Sequence, residues 1–183
     1  MSEQISIEQI TARIAAAHER LLRAIAPLSP AQMVAPVLGA DGWSVKDVLA
    51  HLEFWDRRLL HAIQPEEWPE AWWAAGPAGA ADGAHVRLLP PPIADIPYPD
   101  GWLEAVNTRI YTRNKDRDLD DVRAAFDRTR ARLLAVTSAL SAQAVSDLDS
   151  LTAPLGEPFS AMLVGAYEHY DEHAEELEAH TFA

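Results

Sequence analysis

GWSVKDVLAHLEFWDRRLLHAI, residues 42–63, reads as an amphipathic helix with its start signal attached. Ser44 stands where an N-cap belongs, and Asp47 follows three residues later. That is the spacing at which two side chains and two backbone amides bond reciprocally at a helix start. Val45, Val48, Leu49, Leu52, Trp55 and Leu59 then recur at helical spacing and form one apolar stripe. The pattern predicts a helix from about 45 to 63.

An apolar stripe has to be covered, and the rest of the chain offers similar ones. Ser6 and Gln9 repeat the capping spacing ahead of Ile10, Ile14, Leu21, Leu22 and Ile25. Ser29 and Pro30 mark one short turn of helix. Trp102, Leu103, Val106 and Ile110 resume the period. Asp118 is placed to cap a further helix with Val122, Phe126, Leu133 and Leu134 inward. The last helix begins near Pro158 and runs through Ala161, Met162, Ala166, Tyr170 and Leu177. No stretch alternates as a strand would, and no repeat is visible. The expectation is one all-α domain over residues 1–183, a four-helix bundle whose core is made by the first, second, fourth and last long helices.

Residues 64–101 interrupt this order, between the second and third helices. Eight of the thirteen prolines and four glycines fall there, together with Trp68, Trp72 and Trp73. A loop this long inside a domain is more than a connection. It is expected to fold over one end of the bundle and wall a pocket beside His51. The alternative is that its rings serve a homodimer interface.

Composition narrows the function. The formal charge is −13, with no local cluster of Lys and Arg. Such a chain repels a phosphate backbone, so no nucleic-acid partner is expected. There is no cysteine, which removes thiolate ligands, disulfides and a Cys nucleophile. The N-terminus lacks the basic-then-apolar order of a signal peptide, and no apolar run approaches a membrane span. A cytoplasmic protein acting on a small molecule is the expectation.

The chemistry-bearing residues are histidines. YEHYDEHAEE, residues 167–176, sets His169 and His173 one helical turn apart. Two imidazoles at that spacing are able to share one ion, or are two ordinary residues on a wet helix face. Their place on the helix favours the first reading. His169, His173, Glu176 and His180 run along the edge of the apolar face, towards a neighbouring helix. His51, on the rim of the second helix's stripe, is the best-placed third ligand, and His18 is a second candidate that reads more simply as a core residue. His61 and His85 receive no role.

GWSVKDVLAHLEFW followed by a C-terminal HxxxH resembles the DinB/YfiT-like superfamily of four-helix bundles over nearly the whole chain. The resemblance implies a divalent metal held by His51, His169 and His173. The Pro-rich insert and GWLEAVNTRIYTRNKDRDLDDV are similar to the ClbS/DfsB-like subgroup. That likeness implies self-resistance, by binding or hydrolysing a reactive metabolite without a metal. The subgroup's best known member lacks the three histidines, and this chain keeps them. The wider superfamily implies a metal-dependent thiol-S-transferase or hydrolase, using mycothiol or bacillithiol as thiol.

Zinc or nickel suits three imidazoles. The open position would hold water, with its pKa lowered towards ~7, or a thiolate. Glu172 and Glu176 flank the pair and are candidates to orient an imidazole or move a proton. Tyr111, Asn107 and Arg113 on the third helix are candidates to line the pocket.

Overall fold

The structure, a computed structural model, describes residues 6–36, 38, 42–64, 102–152 and 158–182. The expected lid, with Trp68, Trp72 and Trp73, lies outside the described residues. Among those described there are seven helices and no strand. They are α1 (Ile7–Ile25), α2 (Pro30–Val34), α3 (Val45–Ile63), α4 (Trp102–Asn114), α5 (Leu119–Ala139), α6 (Ala142–Thr152) and α7 (Phe159–Ala179).

The helix starts follow from their capping residues. At α1 the Ser6 amide donates to Gln9 Oε1 at 2.8 Å, and the Gln9 amide to Ser6 Oγ at 3.3 Å. Ser29 and Gln32 repeat the arrangement at α2. At α3 the Ser44 amide donates to Asp47 Oδ2 at 2.9 Å, and the Asp47 amide donates back to Ser44 Oγ at 3.2 Å. Asp118 holds the N-cap position of α5, but its exposed side chain makes no capping bond. Its charge near the helix N-terminus still favours the start.

Four long helices close a ring. α1 packs on α7 and α5, and α3 packs on α5 and α7. Ile14 and Leu21 of α1, Leu49 and Leu52 of α3, Phe126 and Leu133 of α5, and Leu163 and Tyr170 of α7 meet in one core. This is the all-α bundle that the periodicity predicts. α6 was not expected as a separate helix. Its apolar residues Val145 and Leu148 are only partly buried, on the flank of the core, so its stripe is weak.

α4 covers the other side of α3. Val106 and Ile110 pack on Phe54 in a small separate cluster, with Trp55 against it. α3 is therefore enclosed on most sides, and Lys46, Asp47, His51, Glu53 and Asp56 are all buried. Its polar face, which periodicity alone assigns to water, faces other protein groups. Lys46 Nζ donates to the carbonyls of Lys115 at 2.5 Å and Arg117 at 3.1 Å, tying the α4–α5 turn to the first turn of α3.

One charged cluster lies inside the core. Arg130 of α5 is 1% exposed. Its Nη1 donates to Asp56 Oδ2 of α3 at 3.3 Å, and its Nη2 to the Ile14 carbonyl of α1. The Tyr170 hydroxyl of α7 donates to Asp56 Oδ2 at 2.8 Å, and the guanidinium lies 4.2 Å from the Tyr170 ring centroid. Burial pushes the Tyr170 hydroxyl well above its ordinary pKa, and the Asp56 charge adds to this. One guanidinium on α5 thus reaches the other three helices of the ring.

The turn before α3 sets a wall of the site. Leu38 and Trp43 form an antiparallel bridge, with amide-to-carbonyl distances of 2.8 and 2.9 Å. Gly42, between them, has φ +65°, a conformation that costs a side-chain-bearing residue about 1–2 kcal/mol. The turn brings the Trp43 ring 5.2 Å from the His51 ring.

Candidate metal centre

α3 and α7 run side by side, and three imidazoles meet between them. His51 is buried on α3, and His169 and His173 are half-buried on successive turns of α7. Nε2 of His169 lies 2.8 Å from Nε2 of His51 and 3.2 Å from Nε2 of His173. One ring nitrogen from each residue lies within 4.8 Å of the others. The three residues named by sequence are the ones brought together. Among the described residues no other group of three potential ligands is so placed.

The surroundings hold these rings neutral. Burial lowers the His51 pKa to about 2, and positive charge on His169 and His173 would oppose its protonation further. Burial and the neighbouring His173 lower His169 to about 4. Burial lowers His173 as well, against an opposing pull from Glu176 and Glu172. Glu176 Oε2 lies 3.4 Å from His173 Nδ1. A proton on that nitrogen leaves the Nε2 lone pair facing the other two rings. His51 Nδ1 is buried without a hydrogen-bond partner among the described residues.

These residues fit a divalent ion. Three Nε2 atoms facing one another cannot satisfy their lone pairs mutually, since one proton bridges only two of them. An ion at the ~2.0–2.1 Å usual for an imidazole nitrogen on zinc satisfies all three. Separations of 2.8 and 3.2 Å put both contacting pairs within reach of such an ion.

Two cavities adjoin the rings. One, of about 500 Å³, is lined by Leu52, Trp55, Leu59, Leu103, Met162 and Gly165, with His51 and His169 at its edge. The other, of about 620 Å³, has Trp43, Tyr111, Glu104, Glu176 and His173 in its wall, again with His51 and His169. Glu172, Asn107 and Leu103 border both. Trp43 and Tyr111 are stacked, 6.2 Å between centroids and 12° between planes.

Of the α4 residues expected at the pocket, Tyr111 and Asn107 are there, one turn apart on the face of α4 that meets the site. Arg113 is not. It lines a separate cavity with Glu53, Arg57 and Arg117, because two further residues carry the chain about 200° around the helix. His18 lies beside Phe126 and Tyr170 and is no part of the cluster, and His180 packs on Phe182. Sequence reasoning missed Glu104 and the role of Trp43 as a wall. The signal for Trp43 was its place immediately before the cap of the helix that carries His51.

Residues 14–169 match the model of the mycothiol maleylpyruvate isomerase N-terminal domain family. The matched span includes His51 and His169 and stops before His173. Comparison with curated proteins and with solved structures gives no match. The family match covers most of the chain, and the fold is the one its helices predict. The chain therefore belongs to the mycothiol maleylpyruvate isomerase N-terminal domain family, within the DinB/YfiT-like four-helix bundles.

Proposed function

We propose that this protein is a metal-dependent thiol-S-transferase, joining a low-molecular-weight thiol to a small electrophile. The observation that carries the reading is the convergence of three neutral imidazoles between two cavities. The family's name adds mycothiol as the first thiol to test, with bacillithiol as the other.

His51, His169 and His173 would hold the ion, zinc or nickel. When bound, it supplies Lewis acidity that makes a thiol, or water, easier to deprotonate at a position the histidines leave open. Glu176 keeps His173 in the tautomer that presents Nε2. Glu172 borders both cavities and is placed to take the thiol's proton. The sulfur then forms the new C–S bond, the leaving group departs with its electron pair, and Glu172 returns the proton to it. Tyr111, stacked on Trp43, walls the cavity on the side of His173 and offers a hydroxyl towards a bound ligand. Burial of His51 and half-burial of the other two rings limit the water that would compete with the thiol.

The test is elemental analysis with thiol-dependent turnover of a generic aryl halide. Wild type should carry about one zinc or nickel per chain. His169→Ala and His173→Ala should lose it, dropping metal affinity by at least the ~10–100-fold typical of weaker outer-shell changes. His61→Ala should keep it. Equal metal in all variants would place the site elsewhere. Turnover that needs the metal but no thiol would make the protein a hydrolase. A metal-free wild type that binds a ligand would favour the ClbS/DfsB-like role of a binding or self-resistance protein.

A further inference from the structure

The two cavities beside the histidines differ in chemistry. The larger is walled by the Trp43–Tyr111 stack and by Glu104, Glu172 and Glu176. The smaller is walled by Leu52, Trp55, Leu59, Leu103 and Met162. Both reach His51 and His169, so two ligands are able to approach the same imidazoles from different sides. A transferase needs that arrangement, because the thiol and its acceptor must be held at once.

We infer that the smaller cavity is the acceptor chamber, that it takes an uncharged aryl or branched alkyl group, and that Gly165 sets the size it admits. This rests on the thiol-transfer reading for the word acceptor alone; the ligand class follows from the walls. About 500 Å³ lies in the range of small-molecule pockets. Leu103, at the mouth, is 56% exposed, an apolar side chain left facing water. Among the described residues, Glu168 and Glu172 line the cavity against the cation Arg58, whose guanidinium lies 5.2 Å from the Trp55 ring centroid, while Asp56 at its floor is paired with Arg130. Away from the histidines, an anionic ligand would meet side chains of net negative sign.

Gly165 is the unusual residue. It stands in the interior of α7, where glycine lowers helix propensity by about 1 kcal/mol against alanine. A Cβ built there meets nothing within 4 Å, and its φ lies outside the left-handed region, so neither crowding nor backbone geometry demands glycine. Gly165 is exposed and borders the cavity, so a side chain there would extend into open space beside the chamber.

The experiment is calorimetric titration of para-nitrobenzyl alcohol and of para-nitrobenzoate into wild type, Gly165→Ala and Gly165→Leu, each stripped of metal with a chelator so that the carboxylate has no ion to ligate. Zinc and nickel stoichiometry is measured on the same preparations before stripping. Wild type should bind the neutral alcohol about tenfold or more tighter than the carboxylate. Gly165→Leu should weaken the alcohol by about tenfold or more, and Gly165→Ala by less, in order of side-chain volume. Far-UV circular dichroism checks that both variants keep their helix, which each substitution should favour. Unchanged affinity in Gly165→Leu, equal or tighter binding of the carboxylate, or no binding of the alcohol to wild type overturns the assignment. If neither zinc nor nickel is present but the graded loss holds, the thiol-transfer reading falls and the chamber stands. If either metal is present and the graded loss is missing, the reverse is true.

Discussion

His18 lies on α1 with ring centroids of Phe126 and Tyr170 at 5.4 and 5.9 Å, and its Nε2 is buried without a hydrogen bond among the described residues. Burial, followed by the charge of Arg130, lowers its pKa to about 4. An unfolded chain protonates this residue near 6.5, so between about 6.5 and 4 the unfolded state binds more protons than the native one. His18 therefore favours folding above about 6.5, and that contribution is lost as pH falls through the window. Metal-free His18→Leu should gain stability relative to metal-free wild type as pH drops from 7 to 5, measured by urea unfolding. A constant difference across that range would show that His18 is not held neutral. At this scale the sequence was informative where spacing fixes direction. His169 and His173, four residues apart on one helix, had to point the same way. His51 was legible because it sits on the rim of a stripe, where a neighbouring helix must come close. Arg113 was misplaced because nothing in the sequence tells which face of α4 meets α3. The buried, unbonded Nδ1 of His51 has no sequence signal at all.

Among the elements, α3 contributes most to both core and site. Its capping box was readable from Ser44 and Asp47, and its apolar stripe from Val48, Leu52 and Leu59. The burial of its polar residues was not, because it depends on which groups of α5, α7 and the α4–α5 turn dock against them. Lys46 reports that docking. It is 8% exposed and bonds two carbonyls of the α4–α5 turn. Hydrogen bonds from a charged donor contribute about 1.5–3 kcal/mol each at most, so Lys46→Met should destabilise the protein by roughly 1–3 kcal/mol. It should also speed amide exchange in α4 ahead of the other helices. An unchanged exchange rate in α4 would mean that Val106 and Ile110 hold it without the turn. α6 illustrates the opposite limit. With Val145 and Leu148 only partly buried, its period is too faint to separate from a loop.

For the molecule as a whole, the bundle was legible because four strong stripes leave few ways to pack. The buried charge was not, since an arginine and an aspartate on amphipathic helices look like surface residues. Arg130 joins Asp56, the Ile14 carbonyl and the Tyr170 ring across four helices. Removing it leaves the buried Asp56 carboxylate with the Tyr170 hydroxyl but without its cation, at a cost of about 3–5 kcal/mol. Arg130→Met should lose that much by chemical denaturation, and the double variant Arg130→Met with Asp56→Leu should recover most of it. Failure to recover would mean that the ion pair adds more than it costs. No membrane span enters this picture: among the described residues, no helix is long and apolar enough to cross one.

The same cluster bears on how the chain is made. Synthesis runs from the N-terminus, so Ile14 and Asp56 emerge before Arg130, and Tyr170 emerges last. Until α7 leaves the ribosome, the guanidinium has its carboxylate but no ring over it, and α1 and α3 lack the helix that closes the ring. α7 also carries His169 and His173. The step that seals the interior is therefore the step that completes the three-histidine cluster. A nascent chain would hold His51 alone, too few ligands to trap an ion, until the fold that protects the site is finished.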